Sequence, residues 1–249
     1  MNAKSVVRSY WDGRSQTYSI DIYKSRSEAE HLWKTLLKNT IRTNRNLRIL
    51  DVGTGTGFLA LLLAEMGHNV TGIDISRRML EKSRQNADAM RLSIEFMHGD
   101  AEKLPFEDGT FDIVVNRNIL WTLPDPLAAA CEWSRVVKSG GKLVLIDGTW
   151  NDSATKMHLR RLLGRLVAFV TERQNPMAFT SYYSKIKDQL PFFSGSNPDD
   201  VANLFSEVGL TNVSVNRLER LREFENKNRS ISYNIANNPS LFMALGEKW

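Results

Sequence analysis

Residues 48–57 read RILDVGTGTG, and no other stretch limits the fold of this chain as tightly. A short apolar run ends in the acid Asp51, and Gly53, Gly55 and Gly57 follow at alternate positions. Such a run ends a buried strand, and the glycines after it let bare backbone approach a ligand. The apolar residues 58–64, FLALLLA, then open a helix. Strand, glycine turn and helix in that order begin a nucleotide-binding α/β sheet. The spacing argues against a dinucleotide, because the last glycine of G-x-G-x-x-G would fall on Phe58. A carboxylate at Asp51 also repels a diphosphate and suits a ligand carrying an ammonium group.

The same grammar continues downstream. Residues 69–76 read as a second strand ending in Asp74, an acid placed to accept from ribose hydroxyls. Residues 94–100 read as a third strand ending in Gly99 and Asp100, and 113–116 as a fourth, followed by Arg117. Pro124, Asp125 and Pro126 start a helix with proline in its favoured early position. That helix is expected to run to the SGG turn at 139–141, before a fifth strand over 142–147.

The D-x-G-x-G-x-G run at 51–57, with these ordered strand ends, resembles class I S-adenosylmethionine-dependent methyltransferases over residues 45–150. The resemblance implies a Rossmann-like, seven-stranded, mostly parallel sheet with helices on both faces and an antiparallel last strand. It implies S-adenosylmethionine as cofactor and S-adenosylhomocysteine as product. Asp51 would then hold the methionine end, with Gly53, Thr54, Gly55 and Gly57 forming the loop. Asp74 and Ile75 would meet the ribose, Asp100 and Ala101 the adenine, and Asn116 and Arg117 the methionine part. Residues 10–18, YWDGRSQTY, are similar to the N-terminal cap of small-molecule methyltransferases of the ubiquinone/menaquinone-biosynthesis type. Tyr18 then either touches the methionine end or staples the arm to the core.

With 249 residues, 42% of them hydrophobic, the chain suffices for one α/β domain with a full core. It divides into an N-terminal helical cap (1–44), a cofactor-binding core (45–150), a lid insertion (151–198) and the end of the core sheet (199–249). Residues 27–38 have helical spacing, with Leu32, Leu36 and Leu37 on one side. Residues 155–171 read as a basic amphipathic helix, taken as a cap helix in preference to peripheral contact with a membrane surface. A helix capped at Asn197 stops at Gly209, strand six follows over 211–218, and the last apolar run, 241–245, reads as strand seven and ends near Lys248. The polar stretch 219–240 gives no clear element. No run is long and apolar enough to span a bilayer, and no apolar signal core opens the chain, so a cytoplasmic location is the default reading. The lone Cys131 reads as a buried structural thiol.

Methyl transfer is an in-line displacement on an already activated sulfonium. The protein must chiefly align the acceptor and exclude water, so a catalytic acid/base pair is optional. His31, His158 and Asp147 are candidate bases, each with a bland alternative as a surface histidine or a turn cap. Trp121, Trp150, Tyr182 and Tyr183 either line the acceptor pocket or pack the lid. No cluster has metal-ligand spacing, so no metal is expected. A net charge of +5 helps with an anionic partner but does not require one, and the fourth strand lacks an Asn-Pro-Pro-Tyr signature, which speaks against nucleic acid. The leading expectation is a small-molecule methyl acceptor. RNA or protein methylation and a non-catalytic cofactor-binding protein are the alternatives, and a homodimer stays open.

Overall fold

A computed structural model describes residues 2–18, 26–43, 45–149, 178–228 and 240–249. Trp150, His158 and the helix expected over 155–171 lie outside the described residues. Side chains pointing alternately from β1 (Arg48–Val52) bury Ile49 on one face of the sheet and Leu50 and Val52 on the other. Because helices cover both faces, the strands read as continuous apolar runs rather than alternating ones. β1 lies parallel to β2 (Asn69–Asp74) and to β4 (Phe111–Arg117), and β2 carries β3 (Glu95–His98) on its other side. β5 (Val137–Thr149) extends the parallel set, then β7 (Ser240–Lys248) and β6 (Leu210–Arg217) complete the order β3-β2-β1-β4-β5-β7-β6. β7 runs antiparallel to both of its neighbours.

One face is covered by α5 (Pro126–Val136) and α7 (Pro198–Glu207), which bring the fully buried Trp133 and Phe205 against Leu50, Val114 and Leu145. The other is covered by α2 (Arg26–Ile41) and α3 (Phe58–Glu65), where Trp33, Leu37, Leu59 and Leu63 meet Ile49, Val115 and Val144. α4 (Arg77–Ala89) begins at Ser76, whose hydroxyl accepts from the Met79 amide at 3.1 Å, a side-chain cap for an otherwise unsatisfied donor. α1 (Ala3–Arg14) stands apart from these layers and packs on α4 and on α6 (Ala178–Tyr183).

Several boundaries differ from expectation. α5 ends at Val136 and β5 begins at once, so the SGG turn lies inside an extended strand that pairs Phe111 with Val137 before its bulge. β7 does reach Lys248, near which the last apolar run is expected to end, and partners on both sides carry its ladders that far. The stretch left unassigned contains α8 (Glu219–Asn228), which buries Leu221 and Phe224. Cys131 is exposed, contrary to expectation. α5 turns Ala129, Ala130 and Trp133 inward, and the residue between them faces solvent.

Candidate functional site

The glycine turn is pinned from behind. The amides of Gly53 and Thr54 both donate to the Ile73 carbonyl of β2, at 2.8 and 3.1 Å. Gly53, Gly55 and Gly57 have φ of 70°, 57° and 90°, the left-handed region where a Cβ is disfavoured. A Cβ on Gly53 would meet Ile119 Cδ1 at 2.6 Å, whereas one on Gly55 would have only the Gly53 carbonyl oxygen, at 4.0 Å, nearby. Gly55 therefore turns its bare side to open space, the backbone approach that a closely held ligand needs. Gly57 serves packing instead, with Ser83 Cβ 3.3 Å from where a Cβ would stand.

Two carboxylates brace this turn. Asp51 Oδ2 accepts from the Thr54 hydroxyl at 2.7 Å and from the Ala60 amide, in the first turn of α3, at 3.1 Å. Asp74 accepts from the Gly55 amide at 2.8 Å with Oδ2 and from the Ser76 amide at 2.8 Å with Oδ1. Burial pushes both carboxyls up to about 6, partly offset by these hydrogen bonds.

The opposite wall is held by α5. Trp133 Nε1 donates to the Ala101 carbonyl at 3.1 Å, and Arg135 reaches the Leu104 and Phe106 carbonyls while pairing with Glu132. These contacts fix the loop that carries Asp100. Asp100 Oδ2 is paired with Lys4 Nζ at 2.6 Å, and Lys4 also reaches Glu102 at 2.5 Å. Burial works against the Lys4 charge, but its bonds to Asp100 and Glu102 outweigh that and hold its pKa above the ordinary value. At the other end of α1, Asp12 accepts from the Ser76 hydroxyl at 2.7 Å. The helix is thus tied across the mouth at two points.

Between these walls lies a pocket of about 1020 Å³, its open mouth included. Tyr18, Asp51, Gly53, Thr54, Gly55, Asp74, Ile75, Asp100, Ala101 and Arg117 all line it. Gly57 and Asn116 do not. Asn116 is fully buried, with both amide atoms lacking a hydrogen-bond partner among the described residues. Lys4 and Val7, which the sequence did not single out, also line the pocket, as does Trp11 from the segment likened to an N-terminal cap. Their spacing along α1 puts them on one helical face, a signal that was present.

The candidate acceptor residues sit elsewhere. Trp11 meets Tyr18 edge-on at 5.6 Å and Trp121 at 5.9 Å. Trp121 then packs on Tyr183 at 5.1 Å, and Tyr183 stacks on Phe193 at 5.7 Å. Tyr10 touches both Tyr182 and Tyr183. Trp121, Tyr182 and Tyr183 therefore form an aromatic cluster joined to the pocket through Trp11, rather than lining it directly. His31 is exposed on α2 and away from the pocket wall. Asp147 is buried outside the lining; Oδ1 accepts from the Gly148 amide at 2.7 Å, and burial pushes the carboxyl up to about 7. Among the described residues no three His, Cys, Asp or Glu side chains gather as metal ligands do, and no helix is long and apolar enough to cross a membrane.

Residues 50–145 match the family described as a methyltransferase domain. The demethylmenaquinone methyltransferase of Staphylococcus aureus is 29% identical over 196 residues, covering 76% of this chain and 78% of that protein. The PH0226 protein of Pyrococcus horikoshii superposes with a TM-score of 0.59 at 22% identity, over 92% of this chain and 94% of its own. Phosphoethanolamine N-methyltransferase 2 of Haemonchus contortus, solved with phosphomonomethylethanolamine and S-adenosylhomocysteine, gives 0.62 at 17% identity, over 91% of this chain and 53% of its own. The two superpositions speak for the fold alone. The matched domain, the relative and the ordered strand-end acids support a class I S-adenosylmethionine-dependent methyltransferase. The chain is an enzyme of that class, and S-adenosylmethionine is its cofactor.

Proposed function

We propose that this enzyme methylates a small molecule with a flat, apolar ring, of the quinone type, presented at the Trp11 side of the cofactor pocket. The observation that carries this reading is the aromatic cluster of Tyr10, Trp121, Tyr183 and Phe193, joined to the pocket by Trp11. Aromatic rings stack on a flat acceptor and keep water from the transfer path. The name of the Staphylococcus aureus relative agrees with such an acceptor.

The bound cofactor would supply an electrophilic methyl group on sulfur. For this chain we assign Asp51 to the ammonium of the methionine end and the Gly53–Gly55 turn to the bare backbone face of the ligand. Asp74 receives the ribose hydroxyls; each of its oxygens already takes one amide, yet an ionised carboxylate has about four acceptor sites. Asp100 and the Ala101 backbone face the adenine, and Tyr18 closes the pocket beside Trp11. Residues 178–193 act as the roof over the acceptor, and Asp147 has no part in the transfer.

Incubation with methyl-labelled cofactor and three acceptors, a demethylated menaquinol, phosphoethanolamine and bulk RNA, tests the reading. Label in the quinol fraction supports it. Transfer to RNA or to phosphoethanolamine alone overturns it.

A further inference from the structure

Asp147 is a buried acid that the cofactor pocket does not use, and its surroundings join two parts of the molecule. It faces the α5 side of the sheet, as Leu143 and Leu145 do. Asn116 pairs with Leu145 across the β4–β5 ladder and faces the same side. Burial pushes the Asp147 carboxyl up, against the pull of the Gly148 amide, Ser196, the Leu120 amide and the Arg117 charge on β4. Its partner on β7, Phe242, carries no charge. Leu120 belongs to the turn that forms the pocket wall, and Ser196 to the segment that follows the roof. Of residues 191–197 only Ser196 is buried, although Phe192 and Phe193 lie in the same run. Gly195, at φ 105° and with its amide on the Phe192 carbonyl at 2.8 Å, turns Ser196 inward. The Thr149 hydroxyl then donates to the Ser196 carbonyl at 2.7 Å, so the strand that carries Asp147 also holds this backbone. Asp147 Oδ2, the Ser196 hydroxyl and both amide atoms of Asn116 are sealed from solvent without a completed hydrogen bond among the described residues.

Unsatisfied polar atoms gathered in one buried place are costly, and an ionised carboxylate is the costliest of them. A neutral carboxyl lowers that cost, because it can both donate and accept. Leu120 precedes Trp121, and Ser196 lies just beyond Phe193; those two rings approach to 6.5 Å in the aromatic cluster. The carboxyl thus sits where wall and roof both meet the end of β5. We propose that Asp147, in its neutral form, is a latch that holds the roof segment at Ser196 against the wall at Leu120 and so sets the two sides of the aromatic cluster. It is a positioning residue and touches neither cofactor nor acceptor. Parting the joint hydrates the carboxyl and lets it ionise in the ordinary range, so opening grows easier as pH rises to about 7 and levels off above that. The use of the cluster by the acceptor rests on the reading under Proposed function; the latch does not.

Amide hydrogen exchange of the whole chain, wild type against Asp147→Asn, tests the latch. The variant keeps the shape of the side chain and stays neutral, and the ratio of rates at each pH cancels the direct effect of pH on exchange. For residues 118–123 and 193–197 that ratio should rise at least about tenfold between about pH 5 and about pH 7, with wild type the faster, and then level off. A ratio that stays flat with pH in either segment overturns the inference and leaves Asp147 acting on global stability alone. The acceptor side is read with saturating cofactor and demethylated menaquinol. Asp147→Ala should raise the quinol KM several-fold with kcat unchanged, and Asp147→Asn should keep the wild-type KM. An unchanged KM in Asp147→Ala overturns the positioning role. If no variant, wild type included, transfers to the quinol, the acceptor reading falls, and the exchange ratios still decide the latch.

Discussion

The two halves of the pocket wall are built by different means. One half comes from the sheet: strand ends, the glycine turn and backbone amides held on Asp51 and Asp74. The other half comes from α1 and the aromatic cluster, where side chains from distant segments meet by packing and by the Lys4 and Asp12 ties. The first is rigid because strands and amides fix it. The second rests on side-chain packing between distant segments and on the Lys4–Asp100 ion pair, which is partly exposed. The sheet half should therefore fail sharply when altered, and the α1 half gradually.

Gly55→Val is the sharpest test of that contrast. It forces a β-branched residue into a left-handed conformation and directs its side chain into the pocket. Cofactor affinity should fall by at least about 100-fold, near 2.7 kcal/mol, in calorimetric titration. Unchanged affinity would remove the turn from the site. Asp74→Ala should cost about 1–3 kcal/mol of binding, since it removes a charge-assisted acceptor and also releases the Gly55 amide.

Acidity separates the unliganded fold from the ligand site. Burial raises Asp51 and Asp74 to about 6 and Asp147 to about 7. Between the ordinary carboxylate range and those values the folded chain binds protons that the unfolded chain has lost. Their contribution to unliganded stability is therefore greatest in acid and falls as pH rises to about 7, by up to about 1.4 kcal/mol per pH unit for each group. Cofactor affinity should move the other way, weakening as pH falls through about 6, because Asp51 must be ionised to hold an ammonium. Asp147→Asn should flatten the uppermost part of the stability profile in denaturant titrations and leave the affinity profile in place. Joint movement of both profiles in that variant would put Asp147 in the site.

The smallest effect belongs to α1. Lys4 and Asp100 are each about one-third exposed, and such pairs are worth about 0.2–1 kcal/mol. Lys4→Met should change stability and cofactor affinity by no more than that, measured by thermal melting and titration. A loss as large as that of Asp74→Ala would erase the distinction between the two halves.

The same division explains what could be read from the sequence. Each acid of the sheet half follows a short apolar run or a glycine, so strand periodicity alone puts Asp51, Asp74 and Asp100 at one edge. Lys4, Val7 and Trp11 also share a helical face, but their partners are far along the chain. Nothing local shows that this face meets a pocket. Trp121 and Tyr183 were legible as aromatic, yet their place in a cluster behind Trp11 depends on how α6 docks. α8 was missed because charged residues hide the spacing of Leu221 and Phe224.

The order of the last two strands has a consequence for biosynthesis. β6 precedes β7 in sequence, yet β7 lies between β6 and β5. As the chain leaves the ribosome, β5 keeps a bare edge and β6 has no neighbour until residues 240–248 emerge. A nascent chain paused before that point exposes an apolar strand edge, the kind of surface that recruits chaperones or sticks to another nascent copy.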